Sequence, residues 1–433
     1  MPGPQEKRYA AYMEGLATAA GHQDRQEPLK SYCKGLLLPG ERKSIEPMAA
    51  RLAPENVQSM RQSLHHLVAK APWSDEGLLE QVRSYALPRM QKQGPVVAWI
   101  VDDTGFPKKG KHSVGVTRQY CGQVGKQENC RIAVSLSVST WNASLPIAYR
   151  LYLPKEWAED SERREKTEVP EEVRFQSKPE IALDQIRAAA AAQAPRGVVL
   201  ADAAYGINTG FRDELTRLKL QYVVGVQSSL TVWEPGKQPL PAGPRKATGR
   251  PPRFLQRSAD HQPVSVKQLA IRLPPGAFQE IAWREGTERK LRSRFAVVRI
   301  RPAHRDYERA EPYAEEWLLI EWPRNEPEPT KYWLATLSPA TPFKALVKMA
   351  KHRWIIERDY QELKQELGLG HFEGRNWRGF HHHATLCIAA YGFLVAERNR
   401  FSPSARAGHL RFAAPGRAPE FRPRGSPRSS RAA

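Results

Sequence analysis

The chain has 433 residues, 40% of them hydrophobic, with 67 Lys and Arg against 46 Asp and Glu and a net charge of +21. Such length and apolar content exclude a wholly disordered chain and suffice for two or three domains. The positive excess points to a polyanionic partner, nucleic acid ahead of an acidic membrane surface. No apolar stretch exceeds the 13 residues of 384–396, too short for a membrane-spanning helix. Residues 1–9 lack the apolar core of a signal peptide. The four cysteines show no C-x-x-C spacing, which argues against a zinc or disulfide framework and suits a reducing cytoplasm.

Apolar residues at helical intervals over 54–69 and 73–85 predict a helical region over 1–92. Up to about residue 90 its 12 cations nearly balance its 10 acids, so it is a candidate DNA-binding domain by position more than by charge. From Val96 the pattern changes. Val96-Val97-Ala98-Trp99-Ile100-Val101 reads as a strand covered on both faces, with Asp102-Asp103 directly after it. Pro107-Lys108-Lys109-Gly110 predicts a turn, and residues 113–121 a second strand. Ile132, Val134, Leu136 and Val138 alternate with Ala133, Ser135, Ser137 and Ser139, a third strand. An Ala-rich helix over 179–193 leads to the buried strand Val198–Ala201, which ends at Asp202. A helix over 209–218 and a strand over 222–226 follow. Three strands, helix, strand, helix, strand is the order of an α/β, ribonuclease H-like mixed sheet.

Between residues 227 and 340 the sequence turns irregular and Pro-rich, with strand-like runs over 295–300, 316–322 and 332–337. It reads as a β-rich insertion that interrupts a catalytic core made of 93–226 and 341–400. Within it, residues 244–257 carry five cations and no acid, a solvated loop or a phosphate contact. Trp283, Trp317, Trp322 and Trp333 read as core rather than as platforms for an extruded base. Thr341-Pro342 predicts a helix start, and the helix can run to Leu367, where Gly368 ends it. At about 100° per residue, Ile356, Tyr360, Leu363 and Leu367 form one stripe of this helix, with Arg353, Glu357 and Lys364 along its edge. His381-His382-His383 predicts a polar start to a last helix over 380–398, because adjacent histidines diverge too far to bind one ion. Residues 401–433, basic and Pro-rich, are expected to be disordered and to add nonspecific DNA affinity.

Asp103, Asp202 and Glu357 thus lie on three elements of one fold. Singly, each reads as a cap or a solvated carboxylate; together they suit a metal-dependent nuclease. Two Mg²⁺ ions about 3.5–4 Å apart can activate water and neutralise a leaving oxygen, and carboxylates are their natural ligands. Arg353 and Lys364 can hold phosphate beside such ions, or merely pair with Glu357 along the helix. Lys108, Lys109 and Lys111 form a basic turn near Asp103, suited to DNA.

These residues resemble bacterial insertion-sequence transposases of the DDE class. The resemblance rests on Asp102-Asp103-Thr104-Gly105, on Ala201-Asp202-Ala203-Ala204-Tyr205-Gly206, and on His352-Arg353-Trp354-Ile355-Ile356-Glu357 with Lys364. The last is similar to the Tyr-Arg-Glu-Lys signature of one branch, although Ala350 occupies the Tyr position. The resemblance implies Asp103, which precedes Thr104, as first carboxylate, with Asp102 in a supporting role. It also implies two Mg²⁺ (Mn²⁺ as substitute), a homodimer on paired DNA ends and a nucleoid-associated protein of the bacterial cytoplasm. Cutting would be followed by joining of the 3′-hydroxyl ends to target DNA. The alternatives are a noncatalytic, transposase-derived DNA-binding protein and a structure-selective nuclease without strand transfer.

Overall fold

The computed structural model describes residues 3–243, 253–285 and 290–400. The basic tail at 401–433, and most of the cationic stretch at 244–257, lie outside the described residues. Five helices come first: α1 (Pro4–Ala19), α2 (Gln23–Leu37), α3 (Ile45–Leu52), α4 (Val57–Ala69) and α5 (Asp75–Gln91). Four strands follow, β1 (Ala98–Pro107), β2 (Thr117–Cys121), β3 (Lys126–Ser139) and β4 (Ser144–Leu151). Two short helices, α6 (Lys155–Ala158) and α7 (Ser161–Lys166), lead to α8 (Lys178–Ala191). Then come β5 (Val198–Ala201), α9 (Ala203–Gly206), α10 (Thr209–Arg217) and β6 (Tyr222–Val226).

β1 pairs antiparallel with β3 and parallel with β5, and β5 pairs parallel with β6. With β4 on the far side of β3, the order β4-β3-β1-β5-β6 is that of a ribonuclease H-like sheet. The third core strand is therefore β4, which the sequence reading passes over. Leu145, Ile147, Tyr149 and Leu151 do alternate, but Pro146 interrupts them. Proline cannot donate to a ladder and is tolerated on a strand with a free edge; β4 pairs only with β3 among the described strands, and the register shifts at Leu136/Ser137 beside Pro146. β1 also differs from expectation. Its ladder with β3 continues to Pro107↔Cys130, so Asp102 and Asp103 lie inside the strand rather than after it.

Residues 227–340 supply β7 (Thr231–Trp233), β8 (Val264–Ser265), α11 (Val266–Arg272), β9 (Gln279–Glu285), β10 (Lys290–Pro302), β11 (Glu316–Glu321) and β12 (Lys331–Ala335). β12 pairs antiparallel with β6, so these strands extend the sheet sideways through β11 and β10. The Tyr222 hydroxyl donates to Glu316 Oε1 at 2.8 Å near this junction. Burial pushes the Glu316 carboxyl up from 4.5 to about 7. Its protonated form is thus favoured in the folded state, and the stability it contributes is full below pH 4.5 and lost as pH rises through 7. Glu316→Gln should escape that loss. Its advantage over the unaltered protein in thermal unfolding should widen between pH 5 and pH 8, by up to about 2–3 kcal/mol. A gap that does not change with pH would refute this account.

The last helices are α12 (Phe343–Lys351), α13 (Ile355–Gln361) and α14 (Trp377–Arg398). Pro342 rather than Thr341 caps α12. The helix expected to run unbroken to Leu367 is interrupted twice, by a 3₁₀ turn at His352–Trp354 and a π turn at Glu362–Glu366. It ends where expected, with Gly368 at φ +68°, a conformation that favours glycine. The apolar stripe holds: Ile356, Leu363 and Leu367 are buried.

α14 lies between β4 and the N-terminal helices. The Tyr12 hydroxyl donates to Ala389 O at 2.9 Å, and the Tyr32 hydroxyl meets His383 Nδ1 at 2.8 Å. His381, His382 and His383 are consequently buried, not a polar helix start. His381 Nε2 accepts from the Leu151 amide at 3.1 Å, and His382 stacks on Trp73 at 3.6 Å. Burial lowers all three to about 4, which keeps them neutral. Among the described residues, no helix is long and apolar enough to cross a membrane.

A candidate carboxylate site beyond the β1–β5 pairing

The β1–β5 pairing stops at Ile100↔Leu200, and just beyond it the two parallel strands carry Asp102 and Asp202. The carboxyl ends of parallel strands are where open α/β sheets bind ligands. Successive strand residues point to opposite faces, so Asp102 and Asp103 diverge. Ala98 and Ile100 share a buried cluster with Ile355 and Ile356, which puts Asp102 on the face covered by α13. There Arg353 Nη1 donates to Asp102 Oδ2 at 2.6 Å, and the Asp103 amide donates to Asp102 Oδ1 at 2.9 Å. Burial, with Asp202 and Asp103 nearby and Arg353 opposing, pushes the Asp102 carboxyl up to about 7.

Asp103 turns the other way. Lys178 Nζ, from the first turn of α8, donates to its Oδ2 at 2.9 Å, and the Tyr205 hydroxyl stands 3.5 Å from the same oxygen. Asp202 caps α9, its Oδ1 accepting from the Ala204 amide at 2.9 Å, which fixes the carboxyl in place. Glu357 is exposed on α13 and makes no hydrogen bond or ion pair among the described residues.

The 3₁₀ turn presents Arg353 to Asp102. Burial works against its charge, but Asp102, then Asp202 and Glu357, outweigh it and hold its pKa above the ordinary value. The flanking residues anchor the turn: His352 Nε2 meets Ser139 Oγ at 3.1 Å, and the Arg284 guanidinium lies 3.7 Å over the Trp354 ring. In the π turn, Lys364 Nζ donates to Gly105 O and to Gln123 Oε1, each at 2.9 Å. Burial lowers this amine to about 8. Both irregular turns therefore present a cation to β1, Arg353 to Asp102 and Lys364 to Gly105 O, and such departures from the α-helix are common at functional sites.

Asp102 thus contacts Arg353, with Asp202 and Glu357 within its electrostatic reach, while Asp103, which also acts on Asp102, pairs with Lys178. Among the described residues, no three ligand-type side chains converge closely enough to hold one ion in the geometry shown. Lys108 donates to Phe372 O, with its pKa lowered to about 8 by burial, whereas Lys109 and Lys111 are exposed. Trp283, Trp317, Trp322 and Trp333 are engaged within the protein. Trp283 and Trp333 flank the Lys351 ammonium, while Trp317 and Trp322 donate to Ser338 O and Glu326 O.

Sequence reasoning missed Lys178, Ser135 and Tyr360. The Tyr360 hydroxyl meets Ser135 Oγ and lies within electrostatic reach of Asp102 and Asp103. A tyrosine hydroxyl thus approaches the site from α13, while Ala350 is buried in the α12 packing. The stripe of Tyr360 marked it as a core residue; nothing local to Lys178 signalled its partner 75 residues earlier.

Against known proteins, the family described as DDE superfamily endonuclease matches residues 15–290. That span includes Asp102, Asp103 and Asp202 and stops before Glu357. The probable transposase for insertion sequence element IS701 of Microchaete diplosiphon is 29% identical over 190 residues. The alignment covers 44% of this chain and 46% of that protein, so the chain matches about half of the relative's length.

Proposed function

The chain belongs to the DDE superfamily endonuclease family, and on that premise we propose that it is an insertion-sequence transposase. It would cut the ends of its element and join the freed 3′-hydroxyls to target DNA, acting as a homodimer on paired ends. The observation that carries this reading is the contact of Arg353 with Asp102 at 2.6 Å, on the strand paired in parallel with the one that leads to Asp202. A guanidinium that offsets carboxylate charge in the free protein is also suited to a scissile phosphate once divalent cations take over that charge.

The donor set fits Mg²⁺ or Mn²⁺, being all carboxylate oxygen. Burial, with Asp202 and Asp103 nearby, raises the Asp102 pKa, and a bound cation would favour its charged form. Bound metal would activate water or a 3′-hydroxyl and offset charge on the leaving oxygen. Asp102 would hold it from the rigid central strand, Asp202 from the α9 cap and Glu357 from the more adjustable helix. On this reading Asp102, rather than the Asp103 implied by the resemblance, would share the site with Glu357. Asp103 would support it through Lys178. Arg353 would exchange Asp102 for the phosphate, and Lys364 would add positive charge beside it.

The test pairs two assays on DNA carrying the element's ends, with Mg²⁺. Strand cutting of intact donor DNA and joining of precleaved ends are both expected, and both should stop in EDTA. Cutting without joining would leave a nuclease that lacks strand transfer. Neither activity, with DNA binding intact, would favour the noncatalytic reading.

A further inference from the structure

We propose that the two-stranded ribbon made by β2 and the first part of β3 binds in the major groove of duplex DNA and reads its base edges. The proposal rests on the reading of the chain as a DNA-acting enzyme, and it assigns a recognition role to an element that the carboxylate chemistry does not use. Residues 105–130, the loop and the ribbon together, contain Lys108, Lys109, Lys111, Arg118 and Lys126 against the single acid Glu128, which faces Lys126, so the unit carries a net positive charge.

The ribbon is seated directly against the site. A Cβ at Gly105 would lie 2.5 Å from Cys121 Sγ, so the end of β2 packs closely on β1, two residues past Asp103. Lys364 clamps the same contact, donating at 2.9 Å both to Gly105 O and to Gln123 Oε1 at the ribbon tip. The ribbon is thereby tied to the helical segment that carries Glu357.

Alternation along β2 sorts its side chains. Cys121 is buried and Gln119 half-buried, with Gln119 Nε2 donating to Cys130 O at 3.1 Å. Arg118 and Tyr120 are exposed, Tyr120 by 62%. Across the ladder Tyr120 faces Gln127, which is exposed too. At the tip, Val124 is 41% exposed. A two-stranded ribbon fits the major groove of B-DNA, where Arg reads guanine, Gln reads adenine and an apolar group meets the thymine methyl. Lys109 and Lys111, exposed beside it, would meet the backbone phosphates that set its register.

The test is selection from a pool of duplexes, about 40 bp long with a randomised centre, by the full chain in EDTA so that no strand is cut. The unaltered protein should enrich a motif. The double variant Arg118→Ala/Gln127→Ala, altered only at exposed positions, should lose preference at two or more motif positions. It should bind the enriched duplex about 5- to 150-fold more weakly for each base contact removed, with a change of only a few-fold on random-sequence duplex. 7-Deazapurines at those positions, which remove the major-groove N7 acceptor, should weaken the unaltered protein and not the variant. An unchanged motif and affinity, or an equal loss on random duplex, would overturn the ribbon's reading role alone. If the unaltered protein enriched no sequence, the transposase reading would fall with it.

Discussion

Replacing Glu357 by Gln is expected to lower Mg²⁺-dependent cutting of donor DNA by on the order of 10³-fold, about 4 kcal/mol of transition-state stabilisation. DNA binding should stay within a few-fold of the unaltered protein. The separation follows from where Glu357 sits. It is exposed and makes no hydrogen bond or ion pair among the described residues, so an isosteric amide removes a charge and no packing or fold contact. What is lost is one carboxylate within electrostatic reach of Arg353. Single-turnover nicking with Mg²⁺, beside binding measured in EDTA and a melting curve, separates the three quantities. Cutting at close to the unaltered rate would remove Glu357 from the site.

The second large effect is a contrast between neighbours. Asp102→Asn should also cost on the order of 10³-fold in cutting, whereas Asp103→Asn should cost about tenfold or less. Asp102 lies on the face shared with α13, held by Arg353 at 2.6 Å, and feels Asp202. Asp103 lies on the opposite face with Lys178. That pair is partly exposed, at 29% and 23%, and pairs of this kind contribute about 1 kcal/mol or less. Rates for the two variants under identical Mg²⁺ decide the matter. An inactive Asp103→Asn protein beside an active Asp102→Asn protein would return the first carboxylate to Asp103, as the sequence resemblance implies.

Much of the core was legible because its strands are hydrophobic on both faces or strictly alternating. Val198–Ala201 and Tyr222–Val226 appear where expected, and α10 and α8 lie within two residues of their expected bounds. β4 was not legible, since Pro146 breaks the pattern and only the free strand edge makes it tolerable. The breaks in the helical segment that carries Glu357 were not legible either. Residues 343–366 have helical periodicity throughout, and the 3₁₀ and π turns arise where Arg353 and Lys364 are drawn to partners on β1 and at Gly105. The three histidines of α14 carry no local sign of burial; it comes from the N-terminal helices laid over them.

The sequence by itself determined the fold class, the basic character and the set of acidic residues that could form a site, because strand alternation, helical periodicity and charge are properties of neighbours in the chain. Only the tertiary structure decided how those acids divide. Whether Asp102 or Asp103 faces Glu357 depends on which side of β1 the last helix packs, and Ile100 with Ile355 and Ile356 sets that side. The partners of the acids, Arg353 for Asp102 and Lys178 for Asp103, come from residues 251 and 75 positions away. Hydrogen bonds and Coulomb forces act through space at a few ångströms, and no local pattern in a chain records which distant residues folding will bring within that range.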